Sequence, residues 1–148
     1  MQLEWVLKKF NQLTPDELYN LLKLRSEVFV VEQNCVFLDM DDKDQQCHHL
    51  MGYNDIELVA SVRIVPPDLA YDEPSIGRVV SSSKYRGSGA GRDLMIKAIA
   101  VTNELYGTQH IRIGAQLYLK NFYASLGFEP QGDIYLEDGI QHIIMLKH

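Results

Sequence analysis

The sequence predicts an α/β (α+β) protein in which helices flank a mixed, mostly antiparallel sheet. Segments with strand-like alternation of apolar residues and segments with helical spacing follow one another in the order helix, antiparallel strands, helix, strand, helix, hairpin. The chain has 148 residues, of which 46% are hydrophobic and 23% charged, which suffices for one well-filled core. We therefore expect a single domain over residues 1–148.

The first helix is predicted by a capping signal. Thr14 suits the N-cap, Pro15 suits the first helical position, and Glu17 completes a capping box. An apolar stripe at helical spacing follows, through Leu18, Leu21, Leu22, Arg25, Val28 and Phe29. The acidic stretch 39–46 then indicates a solvated loop.

The central strands are predicted at residues 49–53, 56–65 and 75–80. Asn54 and Asp55 fit a tight hairpin turn between the first two. Pro66 and Pro67 end the second strand, because proline has no N–H to donate to a ladder.

The second half begins with a helix that ends at Gly107 and has one apolar face, formed by Leu94, Ala98, Val101 and Leu105. Residues 110–114 read as a strand, and a short helix closes at Gly127. Two final strands, 133–136 and 142–146, are joined by a turn at 137–139, because an Asp-Gly pair is a strong hairpin signal.

Charge and composition exclude several classes of function. Fourteen basic residues against twenty acidic ones give a net charge of −6, which disfavours a nucleic-acid partner. No apolar run approaches the roughly 20 residues of a membrane span, so no membrane partner is expected. Two cysteines and the lack of a recognisable secretion signal indicate a reduced, cytoplasmic protein.

Metal sites are not expected. The stretch from Asp39 fails the calcium-loop template, since its sixth position is Asp44 and its twelfth is Leu50. Cys47 with its neighbouring histidines lacks a second ligand pair at zinc spacing. A functional role for the acidic stretch stays open, in which its carboxylates attract a cationic acceptor.

A glycine-rich turn at residues 86–92 lies between a predicted strand and a predicted helix. Such a turn can hold an anion, because its N–H groups point inward and the helix N-terminus adds positive potential. A Walker loop would need Gly-Lys-Ser/Thr, whereas Gly91 is followed by Arg92. A dinucleotide loop would need a third glycine where Arg92 stands.

The turn resembles the acyl-CoA pyrophosphate loop of the GCN5-related N-acetyltransferase (GNAT) superfamily, Arg/Gln-x-x-Gly-x-Gly/Ala, at Arg86, Gly89 and Gly91. Residues 122–128 resemble a later motif of the same superfamily, in which an aromatic-Tyr pair precedes Gly-Phe. The chain is similar to the ElaA-like branch in particular, at Arg25 and residues 28–33, 39–44, 63–67, 77–80 and 138–142.

The resemblance implies the GNAT fold and transfer of an acetyl group from acetyl-CoA to a primary amine by direct attack in a ternary complex. Tyr123 is then the expected catalytic acid for the departing thiolate. The residues expected to bind CoA are Val79, Val80, Ser81, Arg86, Gly87, Ser88, Gly89, Ala90, Gly91, Arg92, Gln116 and Phe122. Ser81 departs from the family pattern, which usually has an aliphatic residue there.

The acceptor site is less defined. Arg25, Phe29, Glu32 and His142 are candidates for it; the alternative places Phe29 in the core and Arg25 at the surface. The base that deprotonates the amine stays open among Glu32, His142, the acidic stretch and water. A small-molecule or peptide amine is expected as acceptor, and the resemblance allows a homodimer.

Two other functions compete with acetyl transfer. The fold could serve as a non-catalytic acyl-CoA binding or sensing module. Arg25, Phe29 and the acidic stretch also resemble the N-terminal pattern of acyl-homoserine-lactone synthases, although those proteins are typically longer and usually lack the full CoA loop.

Overall fold

A computed structural model describes residues 2–107 and 110–148. The described residues form seven strands and three α-helices. The strands are Glu4–Lys9 (β1), His48–Asn54 (β2), Glu57–Val65 (β3), Ser75–Ser81 (β4), Ile111–Gln116 (β5), Phe128–Glu137 (β6) and Ile140–Lys147 (β7), and the helices are Pro15–Arg25 (α1), Ala90–Tyr106 (α2) and Lys120–Ala124 (α3).

The first sheet is antiparallel throughout, in the order β1-β2-β3-β4. Its edge strand β1 is not predicted from the sequence, because its side chains are exposed or half-buried and no turn signal brackets it. Trp5 lies opposite Gly52 on β2. A Cβ at Gly52 would stand 2.6 Å from the indole, so the missing side chain makes room for Trp5.

The second sheet has the order β5-β7-β6, with both pairings antiparallel. Its β6–β7 turn has positive φ at Asp138 (51°) and Gly139 (77°), the combination that a two-residue type I′ hairpin requires. The predicted hairpin is therefore confirmed, although β6 starts at Phe128, earlier than predicted.

Helix α1 begins as predicted. The Glu17 N–H donates to Thr14 Oγ1 at 3.1 Å, and the Thr14 N–H donates to Glu17 Oε1 at 2.8 Å. The apolar stripe beyond Arg25 does not continue as an α-helix, however, because Ser26–Glu32 is π-helical. A π-helix bonds i to i+5, so it changes the angle at which later residues project.

The core lies between helix α2 and the two sheets. On α2, Leu94 and Ala98 are fully buried and Val101 nearly so, as the helical spacing predicts. Leu94 and Ala98 pack among buried residues from β2, β3, β4, β5, β6 and β7. The N-terminus of α2 is thereby fixed beside strand β4, with which the helix is in contact.

Strands β4 and β5 create the opening in which the candidate site lies. They start side by side, where the Arg112 N–H donates to the Pro74 carbonyl at 3.1 Å. They then belong to different sheets and share no ladder, so a gap opens between them.

Within residues 2–107 and 110–148, none of the helices has the length and apolar character that crossing a membrane requires.

Candidate active site

A cleft of about 1420 Å³ lies between β4 and β5. The glycine-rich turn, the π-helical segment, α3 and the β6–β7 hairpin complete its walls. Of the residues predicted to bind CoA, those that line it are Val79, Val80, Ser81, Arg86, Gly87, Gly89, Ala90, Gly91, Arg92, Gln116 and Phe122.

The glycine-rich turn leaves N–H groups available for an anion. Gly89 is the N-cap of α2 with φ of 86°, a left-handed conformation that favours glycine. The first helical bond runs from the Asp93 N–H to the Gly89 carbonyl at 3.0 Å. The N–H groups of Ala90, Gly91 and Arg92 precede it and have no partner within the helix. A Cβ at Gly89 or Gly91 would meet nothing within 4 Å, so a ligand has room there.

Ser88 differs from its neighbours in the turn. Its N–H donates to the Tyr85 carbonyl at 3.3 Å, and its hydroxyl donates to the same oxygen. Ser88 does not line the cleft. Its polar groups close the turn, and CoA binding by Ser88 stays a prediction.

The cations around the turn already have partners. The Arg86 guanidinium binds both carboxylate oxygens of Glu32, with Nη2 2.6 Å from Oε2. This contact holds the pKa of Glu32 below its ordinary value. Lys84 lies 2.7 Å from Glu57, and Arg92 donates to Ser125 at 3.0 Å. The positive charge at this turn is therefore shared with acceptors that a phosphate could replace.

Strand β4 carries a bulge at its centre. Ser61 pairs with Val80 and Arg63 with Gly77, so Arg78 and Val79 together face one residue of β3. Arg78 has φ of 50°, a strained value for a residue with a Cβ. Its side chain donates to Asp39 Oδ1 at 2.8 Å and to the Asp39 carbonyl at 2.9 Å. The bulge interrupts the β3–β4 ladder at Arg78 and Val79.

Tyr123 lies in the cleft wall and is 6% exposed. Its ring makes edge contacts with Phe122 and Phe128, at centroid distances of 5.2 and 6.0 Å. No described residue forms a hydrogen bond with its hydroxyl. Burial, followed by the nearby Tyr118, raises the pKa of Tyr123 to about 12. The phenol therefore keeps its proton at neutral pH and can act as an acid.

Arg25 does not line the cleft, and the prediction that it contacts an acceptor is wrong. It is 1% exposed. Its Nε donates to Asp39 Oδ2 at 2.8 Å, and its two terminal nitrogens donate to Asp44 at 2.9 and 3.1 Å. The alternative, a surface position, is wrong as well.

The acidic stretch is a loop outside the strands and α-helices, as predicted, but three of its aspartates are paired with arginines rather than solvated. Asp39 and Asp44 are buried, and Asp41 receives two bonds from Arg63 at 2.6 and 2.7 Å. These contacts outweigh the opposing effect of burial and keep the pKa values of Asp41 and Asp44 below their ordinary value. Three arginines thus neutralise three aspartates, which argues against the steering of a cationic acceptor. We call Arg25, Arg63, Arg78, Asp39, Asp41 and Asp44 the buried ion cluster.

The other predicted acceptor residues do meet in the cleft. Phe29, Glu32 and His142 all line it. His142 is buried, with Nδ1 2.7 Å from the Ile140 carbonyl oxygen. Gln116 lies opposite His142 on β5 and bonds the Gln33 side chain at 3.2 Å.

Tyr71, Tyr135 and Glu137 are among the residues of the cleft wall that sequence reasoning missed. A Cβ at Gly114 would stand 2.7 Å from the Tyr135 hydroxyl and 3.2 Å from that of Tyr71. A glycine within a strand often marks such a close approach. Gly114 is therefore the sequence feature that could have indicated this contact. We call Tyr71, Tyr135, Glu137 and His142 the hairpin pocket.

The comparisons with known proteins agree with this geometry. A family model described as an acetyltransferase (GNAT) domain matches residues 29–148. A UPF0039 protein of Synechocystis sp. is 43% identical over 99% of this chain and 96% of its own length. The protein ElaA of Escherichia coli K12 is 40% identical over 98% of this chain and 96% of its own.

Solved structures confirm the predicted fold. An acyl-CoA N-acyltransferase from Pseudomonas aeruginosa matches with a TM-score of 0.94 and 41% identity, over 99% of this chain and 100% of that one. Escherichia coli ElaA matches with a TM-score of 0.92 and 39% identity, over 99% and 100% of the two chains.

Proposed function

Because this chain belongs to the GNAT acetyltransferase family, in its ElaA-like branch, we propose that it transfers an acetyl group from acetyl-CoA to a primary amine. The observation that carries the proposal is one cleft holding two complementary features. An open glycine turn at the α2 N-terminus suits a pyrophosphate, and a protonated Tyr123 hydroxyl that bonds no described residue suits a departing thiolate.

CoA binding uses backbone more than side chains. The N–H groups of Gly87 and of residues 89–92 take the pyrophosphate, with Arg86 and Arg92 adding charge. The extended backbone of Val79 and Ser81 pairs with the pantetheine amides, as an added strand would. Strand β4 shares no ladder with β5, so its backbone groups on that side have no strand partner and are available for this pairing.

The chemical step needs a donor for the thioester oxygen and an acid for the sulfur. A β4 backbone N–H beside the bulge supplies the first, and losing such a donor costs on the order of 3 kcal/mol. The amine nitrogen attacks the thioester carbon, a tetrahedral adduct forms, and the C–S bond breaks. Tyr123 then protonates the thiolate.

Tyr123→Phe tests the assignment of the acid. It removes the proton donor and keeps the ring, so acetyl transfer should fall about a hundredfold, while the Kd of CoA changes little. Release of free CoA thiol across a panel of primary amines measures the rate, and calorimetry measures binding. Tyr19→Phe is the matched control, because Tyr19 is exposed on α1, away from the cleft.

The outcomes separate the competing functions. Unchanged turnover in Tyr123→Phe would refute the acid role. Tight acetyl-CoA binding by the wild-type protein without acetylation of any amine would instead favour an acyl-CoA sensing module.

A further inference from the structure

The hairpin pocket contains a histidine whose tautomer the backbone fixes. His142 Nδ1 lies 2.7 Å from the Ile140 carbonyl oxygen. A carbonyl oxygen can only accept, so Nδ1 carries the hydrogen of the neutral ring. Nε2 is left with a lone pair, and it lies 3.4 Å from Glu137 Oε2.

Nε2 and the Glu137 carboxylate are both acceptors, so neither can satisfy the other while the ring is neutral. His142 is buried, whereas Glu137 is more than half exposed. A group from outside that brought at least two N–H donors would satisfy both. A primary ammonium ion has three such donors.

The two tyrosines add neutral oxygen atoms to the same place. Tyr135 is the register partner of His142 on β6, and their ring centroids are 5.7 Å apart. Burial, then Tyr71 and Glu137, raise the pKa of Tyr135 to about 12. The pKa of Tyr71 is raised as well, by burial and then by Glu137. Both phenols stay uncharged at neutral pH, and their oxygens can accept the third N–H.

The other candidates for a base are occupied. The Glu32 carboxylate is bound by Arg86, which lowers its pKa. The aspartates of the buried ion cluster are bound by Arg25, Arg63 and Arg78. Each of these carboxylates is held by an arginine, whereas Nε2 of His142 faces a carboxylate that cannot donate to it.

We propose that the hairpin pocket recognises the acceptor as an aliphatic primary ammonium ion and that His142 Nε2 removes the proton that must leave before the attack. This inference rests on the proposed function. The N–H bond of the ammonium breaks, an N–H bond forms at Nε2, and Glu137 stabilises the resulting imidazolium. The neutral amine then attacks the thioester. Tyr123 gives its proton to the CoA sulfur and takes up the second proton that the nitrogen loses. His142 returns the first proton to solvent.

The groups that face His142 define its pH response. They are Glu137 and Tyr135 from β6 and Gln116 from β5, with Tyr71 from the β3–β4 segment beside Tyr135. Glu137 supplies the carboxylate among these four, with Oε2 3.4 Å from Nε2. That oxygen is placed to accept the N–H that proton transfer forms at Nε2.

The main test is His142→Gln with n-butylamine, which is an ammonium ion at neutral pH. We expect kcat/KM to fall about a hundredfold at pH 7 with an unchanged Kd for CoA. The loss should shrink by about tenfold per pH unit as free amine becomes abundant, because the variant relies on amine that is already neutral. A pH-independent loss would overturn the base role. His148→Gln, at an exposed histidine, is the matched control.

Two milder variants keep the inference testable if His142→Gln does not fold. Glu137→Gln removes the charge at an exposed position, and Gly114→Ala displaces the two tyrosine hydroxyls. Each should raise KM for n-butylamine about tenfold and leave CoA binding unchanged. Unchanged KM in both would overturn the ammonium pocket. Aniline, which is uncharged at neutral pH, should be the poorer acceptor, and a preference for it would overturn the substrate class.

Nitrogen-15 NMR of the His142 ring separates this inference from the proposed function, since it needs no turnover. We expect the hydrogen on Nδ1 at pH 8. A hydrogen on Nε2 would overturn the base assignment while acetyl transfer stands. If the wild-type protein acetylates no amine although the tautomer is as expected, the proposed function fails, and the base role fails with it.

Discussion

The buried ion cluster and the exposed Arg86–Glu32 pair use the same two ionic groups, guanidinium and carboxylate, for different ends. In the cluster, Arg25 and Asp39 have side-chain exposures of 1% and 3%. Arg86 and Glu32 have exposures of 43% and 39%. Water can replace either partner of the exposed pair at little cost, whereas it cannot reach the buried one.

The difference separates structure from binding. The cluster ties the 39–44 segment to α1, β3 and β4, and through Arg78 it holds the strained residue of the β4 bulge. The exposed pair lies at the mouth of the glycine turn, where its arginine can exchange a carboxylate for a phosphate. A permanent network therefore shapes β4, and the exposed contact is the one that the proposed phosphate ligand would exchange.

The largest expected effect is on stability. Asp44→Asn keeps the side-chain shape but leaves Arg25 and Arg63 short of a negative charge in the interior. We expect a loss of about 3–5 kcal/mol in the free energy of unfolding, the usual cost of breaking a buried ion pair. Urea denaturation measures it. Glu32→Gln should lower the free energy of unfolding by less than about 1 kcal/mol. Equal losses of stability in the two variants would contradict the distinction between the buried cluster and the exposed pair.

Acid should unfold the protein through the cluster. The pKa values of Asp41 and Asp44 are lowered in the folded state, so the unfolded chain binds protons first as pH falls. The stabilisation is complete above about pH 4 and is lost as pH falls further toward the lowered values. Asp41→Asn should reduce the slope of unfolding free energy against pH by up to about 1.4 kcal/mol per pH unit below pH 4. An unchanged slope would contradict this.

The same contrast explains what the sequence predicts and what it does not. The capping box at Thr14 and Glu17, the α2 face and the glycine turn depend on residues close together in the chain, so spacing reveals them. The partners of the cluster are far apart, with Arg25 14 residues from Asp39 and Arg78 39 residues from it. A run of aspartates read without its arginines looks like a solvated loop.

His142 is predicted as an acceptor-site residue, but its neighbours in the hairpin pocket escape prediction for a related reason. Tyr135 and His142 become neighbours through strand register, and Tyr71 comes from another segment altogether. The register of β6 also shifts between Gln131 and Tyr135, so alternation along the sequence does not tell which face Tyr135 occupies. Strand β1 and the π-helical turn are missed because their apolar spacing is too weak or too similar to that of an α-helix.

The exposed arginine should matter for binding and little for folding. Arg86→Gln should weaken CoA binding about tenfold, or about 1.4 kcal/mol, because one charge-assisted contact to phosphate is lost. The free energy of unfolding should change by no more than about 0.5 kcal/mol. Calorimetry gives the Kd. Lys84→Gln is the control, since Lys84 also pairs with an exposed glutamate but lies outside the cleft wall. A similar loss of affinity in both variants would indicate a general charge effect.

The smallest expected effect is a change in CoA affinity that only the carboxylate of Glu32 should cause. Glu32 binds the guanidinium of Arg86, so a phosphate that binds the same guanidinium has to compete with it. Glu32→Gln should therefore strengthen CoA binding, by up to about fivefold, which corresponds to about 1 kcal/mol for an exposed pair. The gain should fade as salt screens the competing charge. Glu57→Gln, at the carboxylate that pairs with Lys84, should leave the Kd unchanged. A weaker affinity in Glu32→Gln would mean that Glu32 orients Arg86 for the phosphate, and the exposed pair would then be as permanent as the buried one.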